Sequence, residues 1–470
     1  MHYPYRLCLA PGVTLIPTDD GLAVARGMWQ ALVVKAPSPA ARRLLDQLAD
    51  GGGRADDLCR GGDTAHLHYL LLRLGGRGLL SYAMDGAVTA RLDPLSFAFA
   101  FRDGAIRDGA MFGRWRLSRF ACLRRVDEQA VVECPLGHGR VRLWGAAGAT
   151  MVGLLTGPCT VQDIAAAVPG ASDADVAAFL GLLVNARAAM PCGADGRLPE
   201  DDDDALRQWE FHDLLFHARS RDGRHGEPIG GTFRFLDEIP PLPAIKPPMS
   251  DRRIPLPDGD ATALNVPFHT VLKGRRSIRG KGRVPLSLES LSAFLHHVNR
   301  ASAIDPPDPA RGAFYEVSCR PCPSGGATHS LDLYLTVGRV TGLEPGLYHY
   351  APGDHALERL ANLDGPPARL LSQAAASAAM EQPPDVLVTL ATRFARLAWK
   401  YQSVAYALAL KDAGVLIHQM YLVATALGLS PCAIGAGNPD LFAEATGLDF
   451  FQETSVAEFI LSGGPDETGR

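Results

Sequence analysis

Four short segments carry side chains able to do chemistry. In WKYQSVAY, Trp399–Tyr406, Lys400 and Tyr401 stand side by side, between an expected strand and a long apolar stretch. Such a pair either transfers protons or snorkels at a buried interface, and the second reading is the commoner. In KGRRSIRGKG, Lys273–Gly282, five basic groups repel one another unless an anion lies among them. Arg275, Arg276 and Arg279, with Ser277 between them, have the planar forks that suit a phosphate, although a solvated basic loop explains the segment equally well.

The other two segments are glycine turns. PCPSGGATH, Pro321–His329, offers Pro323, Ser324, Gly325 and Gly326. Paired glycines let the backbone approach a flat ligand, and ordinary turn formation fits them as well. AIGAGNPD, Ala433–Asp440, places Gly435 and Gly437 in the same way. It departs from the dinucleotide fingerprint GxGxxG, and a helical stretch rather than a strand is expected before it, which disfavours a nicotinamide-binding Rossmann domain. Cys319 and Cys322 form a single CxxC with no second ligand pair, so no metal site is expected.

These segments need elements to hold them. From Val266 onward, helical and strand patterns alternate: VPLSLESLSAFLHHV has Leu288, Leu291, Leu295 and Val298 on one face with Ser287 as cap, while LDLYLTV, DVLVTLATRF and VAEFILSG read as strands. Val404–Leu429 is apolar almost all round, which calls for cover on every side, in a core or between subunits. Ahead of it, residues 222–262 are rich in proline and read as an extended connector that wraps a surface. WEFHDLLFHARSR precedes this connector as a helix, with His212 and His217 as packing residues rather than a metal pair.

The N-terminal part contains a weak repeat. An extended stretch, Gly21–Lys35, leads into helical patterns through Leu44, Leu45 and Leu48, then Leu58, then Leu67, Leu70, Leu71 and Leu74. Val131, Val141 and Leu143, then Met151, Val152 and Leu155, then Ile164, then Val176, Phe179, Leu180 and Leu183 repeat it. Asp63 and Asp173 are the expected N-caps of the two third helices. Hairpin plus three helices reads as a winged-helix unit, here two in tandem. The third helices carry acids at their starts and only Arg73 as a base, which argues for peptide binding or scaffolding and against DNA. The expected organisation is thus residues 1–105 and 106–197 as winged-helix-like units, 198–262 as helix and connector, and 263–470 as the catalytic domain.

Bulk properties agree with a multidomain globular chain: 470 residues, 47% hydrophobic and 21% charged. A net charge of -5 gives no reason to expect nucleic acid or an anionic membrane as partner. No signal peptide or spanning segment is read from the chain, so a cytoplasmic protein with reduced cysteines is expected.

Taken together and in this order, the arginine-serine loop, the Pro-Ser-Gly-Gly turn with the strand after it, GLYHY at Gly346–Tyr350, the helix KDAGVLIHQMYLVATALGL and the Ile-Gly-Ala turn resemble FMN-dependent azoline dehydrogenases, the oxidases of streptolysin S, cyanobactin, microcin and thiopeptide pathways. The resemblance covers about residues 205–465. It implies a nitroreductase-like α+β fold that dimerises through its long helices, with one FMN in each of two shared sites. Arg275, Arg276, Ser277 and Arg279 would contact the flavin phosphate and ring edge. Pro323, Ser324, Gly325 and Gly326 would line the isoalloxazine, with Gly435 and Ala436 on the same cofactor, and Lys400 and Tyr401 would be the catalytic pair. The N-terminal units look like modules that bind the leader of a precursor peptide, and a cyclodehydratase that forms the azolines is the implied partner. The turn departs from the family where Ala327, Thr328, His329 and Ser330 follow the glycines.

The implied reaction turns thiazolines or oxazolines into azoles by removing a Cα proton and a hydride, which the flavin takes. Lys400 serves as base only if burial and neighbouring cations hold it neutral, in which case Lys400→Arg is expected to be inactive. The alternatives are a nicotinamide-dependent nitro- or quinone-reducing flavoenzyme and a peptide-binding scaffold without catalysis.

Overall fold

Two runs of amphipathic helices and the hairpins between them build the N-terminal part around one core. The computed structural model describes residues 4–27, 30–61, 63–102, 113–261, 264–280, 282 and 284–464. Contacts divide the chain into Met1–Glu227 and Pro228–Arg470. In the first unit, a seven-stranded antiparallel sheet runs in the order Gly53–Arg54, Arg6–Leu9, Leu80–Met84, Thr89–Pro94, Gly139–Trp144, Gln129–Glu133, Cys122–Val126. Helices Pro39–Ala49, Ala55–Leu58 and Thr64–Gly75 form one triplet, and Ala146–Leu154, Val161–Ala167 and Asp173–Asn185 the other. The leucines expected on the first triplet and Met151, Ile164, Phe179 and Leu183 of the second are buried in a common core.

The two repeats also share their sheet, since Thr89–Pro94 pairs along its length with Gly139–Trp144. The expected junction at 105/106 lies outside the described residues. Asp63 caps its helix as expected, accepting from the amides of Ala65 and His66. Asp173 does not. Ser172 is the cap: its hydroxyl takes the Asp175 amide while the Asp175 carboxylate returns to Ser172, a reciprocal box that Asp173 could not form. On the helix Phe211–Arg219, His212 is exposed rather than packed, while His217, also exposed, sets its ring 5.6 Å from that of Trp209.

The second unit is an antiparallel seven-stranded sheet ordered Arg253–Pro255, Ala356–Asn362, Gly346–Ala351, Leu331–Val337, Val386–Arg393, Glu453–Ser462, Ser430–Ile434. Its interior strand VLVTLATR is buried at every position, as a strand covered on both faces must be. Alternate residues face opposite layers. Val386, Val388 and Leu390 pack with Leu291 and Leu295 of helix Leu288–Asn299 and with Leu416 and Met420 of the long helix Ala405–Ala426. Leu387 and Ala391 pack with Leu370 and Leu371 of Gly365–Ser377 and with Leu441 and Phe442 of Pro439–Thr446. The outcome is an α+β fold, an antiparallel sheet with a layer of helices on each face.

From Pro228, the proline-rich stretch is built into this second unit as a strap. Gly230–Gly231 pairs with Tyr401–Gln402, and Arg253–Pro255 adds an edge strand beside Ala356–Asn362. Between these anchors, the carbonyls of Leu242, Pro243 and Ala244 accept from the buried guanidiniums of Arg396, Arg393 and Arg320. Lys246 reaches Glu453 at 2.5 Å and the Tyr334 hydroxyl at 2.7 Å. The long helix lacks the cover expected on every side, because Leu410 is 38% and Val415 44% exposed. Among the described residues no helix is long and apolar enough to cross a membrane.

Candidate active site

The glycine turn and the Lys-Tyr segment, 75 residues apart in sequence, form one cluster. Gly325–Ala327 is a single helical turn whose Gly326 adopts φ 63°, the left-handed region open to glycine. A Cβ at Gly326 would come within 2.3 Å of the Tyr401 hydroxyl and 2.6 Å of Lys400 Nζ. Lys400 follows the short helix Phe394–Ala398, and its Nζ donates to the Tyr315 hydroxyl at 2.6 Å. Tyr315 in turn donates to the Gly326 carbonyl at 2.6 Å. The rings of Phe233, Tyr315 and Tyr401 surround the ammonium at 5.8, 5.0 and 5.0 Å from their centroids.

This cage changes the expectation for Lys400. Burial disfavours its ammonium, but the hydrogen bond to Tyr315 and the tyrosine oxygens around it outweigh burial and hold the group above its ordinary value. Among the described residues no cation acts on it in the opposite sense, so the lysine is held charged and not neutral.

The other end of the turn hangs from the long helix. Asp412 accepts from the Ser324 hydroxyl at 2.7 Å and from the Gly325 amide at 3.0 Å. Burial pushes the Asp412 carboxyl up, against those two hydrogen bonds. Arg396 holds the turn from behind, donating to the carbonyls of Thr328 and Glu316. His329 packs beside Cys322, Asp412 and Leu416. Burial, reinforced by the charges of Arg320 and Arg396, lowers it to about 4, so it is neutral at pH 7.

The arginine loop and the second glycine turn form another cluster. Ser277 Oγ lies 2.8 Å from the Tyr421 hydroxyl, which accepts from the Ala433 amide at 2.8 Å. The Ile278 amide donates to the Pro431 carbonyl, and Arg275 stacks over the Tyr421 ring at 5.2 Å. Arg276 and Arg279 are exposed and, among the described residues, form no ion pair. Ser430–Ile434, immediately before Gly435, is a strand and not the expected helical stretch; its neighbour Glu453–Ser462 supplies the ladder that fixes it as one. The sheet is antiparallel throughout this region, so the strand does not make a Rossmann unit. Beside Ala436 and Gly437 lies a cavity of about 380 Å³ walled by helix Gly365–Ser377 and by Glu458, whose carboxyl burial pushes up.

Asp412 and Tyr421, which organise the two clusters, are nine residues apart on one helix. That is about two and a half turns and ~14 Å, so they point to opposite faces. Tyr315, Asp412, Tyr421 and Phe233 are residues of the candidate site that sequence reasoning missed. The signal available was a single acid, Asp412, in a largely apolar helix that also holds Tyr421; for Phe233 and Tyr315, distant in sequence, there was none.

The chain was compared with known proteins. Residues 115–226 match the family described as Cyanobactin oxidase ThcOx, and residues 272–461 match the Nitroreductase family. A protein of Methanocaldococcus jannaschii described as a nitroreductase is 30% identical over 184 residues, which span 38% of this chain and 86% of that protein. Among solved structures, the E. coli microcin synthetase McbBCD complex with truncated pro-MccB17 bound contains a chain 18% identical to this one. That match covers 54% of this chain and 91% of the other, with TM-score 0.33. A protein described as a nitroreductase in complex with FMN, from Exiguobacterium sibiricum 255-15, is 14% identical, with 44% and 91% covered and TM-score 0.30. Neither overlap is close enough to transfer a ligand or a partner.

Proposed function

The chain belongs to the nitroreductase family, and on that premise we propose that it is an FMN-dependent oxidase converting thiazolines or oxazolines of a ribosomally made peptide into thiazoles or oxazoles. The observation that carries this reading is the junction of Lys400 and Tyr401 with Gly326 through Tyr315. The match of residues 115–226 to a cyanobactin oxidase family supports the same substrate class.

The residues present fit FMN. Arg276 and Arg279 offer exposed guanidiniums to a phosphate, and the bare Cα of Gly326 lets the Tyr401 hydroxyl and the Lys400 ammonium close on the turn that would border the ring. Arg275, Arg276, Ser277 and Arg279 would hold the phosphate, while Pro323, Ser324, Gly325, Gly326, Gly435 and Ala436 would border the ring. When bound, FMN supplies the acceptor for the departing hydride. The chain's own part is the proton at Cα. Lys400, held as an ammonium, polarises the azoline and orients Tyr401, which in its deprotonated form would take that proton.

The active form in this proposal is a homodimer. The two clusters face opposite sides of the long helix, and Leu410 and Val415 leave part of that helix apolar and open. One cluster from each subunit would complete each site. The N-terminal repeats, read as winged-helix-like, would take the leader of the precursor peptide, and the enzyme would work in the cytoplasm beside an azoline-forming cyclodehydratase. The test is mass spectrometry of an azoline-bearing peptide incubated with the FMN-loaded chain: each ring oxidised loses two hydrogens, ~2 Da. Unchanged peptide mass, with nicotinamide consumed in reducing a nitroarene, would establish the reductase instead.

A further inference from the structure

The N-terminal unit holds a cavity of about 400 Å³ that has no part in the site above. Phe99 and Met190 give it an apolar wall, and Arg102, Arg187 and Arg224 line it with His138. All three guanidiniums are exposed, and among the described residues none meets a carboxylate. Arg224 makes one contact, to the Pro135 carbonyl at 3.2 Å. Three cations around one cleft repel one another, a cost that an entering anion would remove.

The cleft is also built, in that backbone features hold its arginines in place. Asn185 accepts from the Arg102 amide at 2.7 Å and donates to its carbonyl at 3.3 Å, copying the pairing of a strand. Arg187 adopts φ 56°, a left-handed conformation that an arginine takes at a cost of about 1–2 kcal/mol. Gly137 lets the opposite turn close on it: a Cβ there would lie 2.1 Å from the Ala186 carbonyl. Burial, then the charges of Arg224 and Arg187, hold His138 below its ordinary value, so the positive field reaches the cavity interior.

We propose that this cleft binds an acidic stretch of peptide, with aspartate or glutamate carboxylates set between Arg102, Arg187 and Arg224 and an apolar side chain against Phe99 and Met190. The apolar wall is what favours a peptide over a free phosphate, which has no use for it. That the peptide is the leader of the azoline substrate rests on the proposed function; the cleft's preference for acidic peptide does not.

The test is fluorescence anisotropy of fluorescein-labelled Glu-Glu-Leu-Glu-Glu-Leu-Glu-Glu titrated with the full chain. Saturable binding is expected, weakening with salt, and Arg187→Gln/Arg224→Gln should weaken it by about tenfold or more. The same variant should oxidise a leaderless azoline peptide at the wild-type rate. Absent binding, binding equal in the variant, or displacement of the probe by inorganic tripolyphosphate but not by unlabelled peptide would each overturn the proposal. Because azole formation is read separately, its failure counts against the enzyme reading and leaves the anisotropy to judge the cleft.

Discussion

Replacing Lys400 by arginine separates two roles that the structure sets against each other. A general base must first lose its proton. An ordinary lysine, near ~10.4, is neutral at pH 7 in about one molecule in 2,500, which corresponds to about 4.6 kcal/mol. In this chain the 2.6 Å hydrogen bond to Tyr315 and the tyrosine oxygens outweigh burial and hold the ammonium more firmly still. General-base catalysis is typically worth ~10²–10⁴-fold, about 3–5 kcal/mol. The deprotonation cost therefore offsets most or all of the gain, and a fixed cation that orients Tyr401 is the better use of the residue. Lys400→Arg keeps that charge and should form azoles within about tenfold of the wild-type rate, whereas Lys400→Met, which removes it, should lose ~10²-fold or more. The assay is the initial rate of mass loss in an azoline peptide, at matched FMN content measured by absorbance. If the arginine variant is as inactive as the methionine variant while still holding FMN, the ammonium must give up its proton and this reasoning fails.

Gly326→Ala forces a methyl to 2.3 Å from the Tyr401 hydroxyl at φ 63°; it should cost about 1–3 kcal/mol in calorimetry and abolish azole formation, and near-normal turnover would show that the close approach of Tyr401 to the turn is not used. Asp412→Ala frees the Ser324 hydroxyl and the Gly325 amide, so FMN retention after gel filtration should fall about tenfold or more, while unchanged retention would remove the turn from the flavin site. His329 titrates at about 4 when folded, mainly through burial. An unfolded histidine near 6.5 binds its proton first, so stability is lost as pH falls from about 6.5 to about 4, by up to ~3 kcal/mol. His329→Gln should flatten that part of the stability–pH curve, and an unaltered curve would place the titration elsewhere. Leu410→Glu/Val415→Glu puts charge on the open face of the long helix, and light scattering should then report a monomeric mass; a dimer as tight as wild type would move the interface away from this helix.

Much of the fold was legible because periodicity reports burial. The strand VLVTLATR and the helix from Leu288 to Asn299 were visible as patterns, and Ser287 marked the start of that helix, where its hydroxyl caps the Ser290 amide. Asp173 misled because two polar residues compete for one cap and only Ser172 allows the return bond from Asp175. The strand before Gly435 was hidden for a different reason. SPCAI is short and continues an apolar helical run, and its partner lies some twenty residues further on. At the candidate site, glycines and charges announced themselves by type. Tyr315 and Phe233 did not, because what makes them matter is a contact with Lys400 that spans 85 residues or more of chain.

The strap alters where this protein can be cut. The match to the nitroreductase family begins at residue 272, so a plasmid encoding the catalytic part alone would naturally start close by. Such a fragment would lose Phe233 from the cage around Lys400 and the carbonyls that Arg393, Arg396 and Arg320 donate to. Three guanidiniums that are at most 9% exposed would be left facing a stripped groove, each deprived of hydrogen bonds of the charged kind, worth ~1.5–3 kcal/mol apiece. Lys246 would also leave Glu453 and Tyr334 behind. The smallest catalytic piece able to keep its shape begins at the start of the strap, near Pro228, some forty residues before the nitroreductase match does.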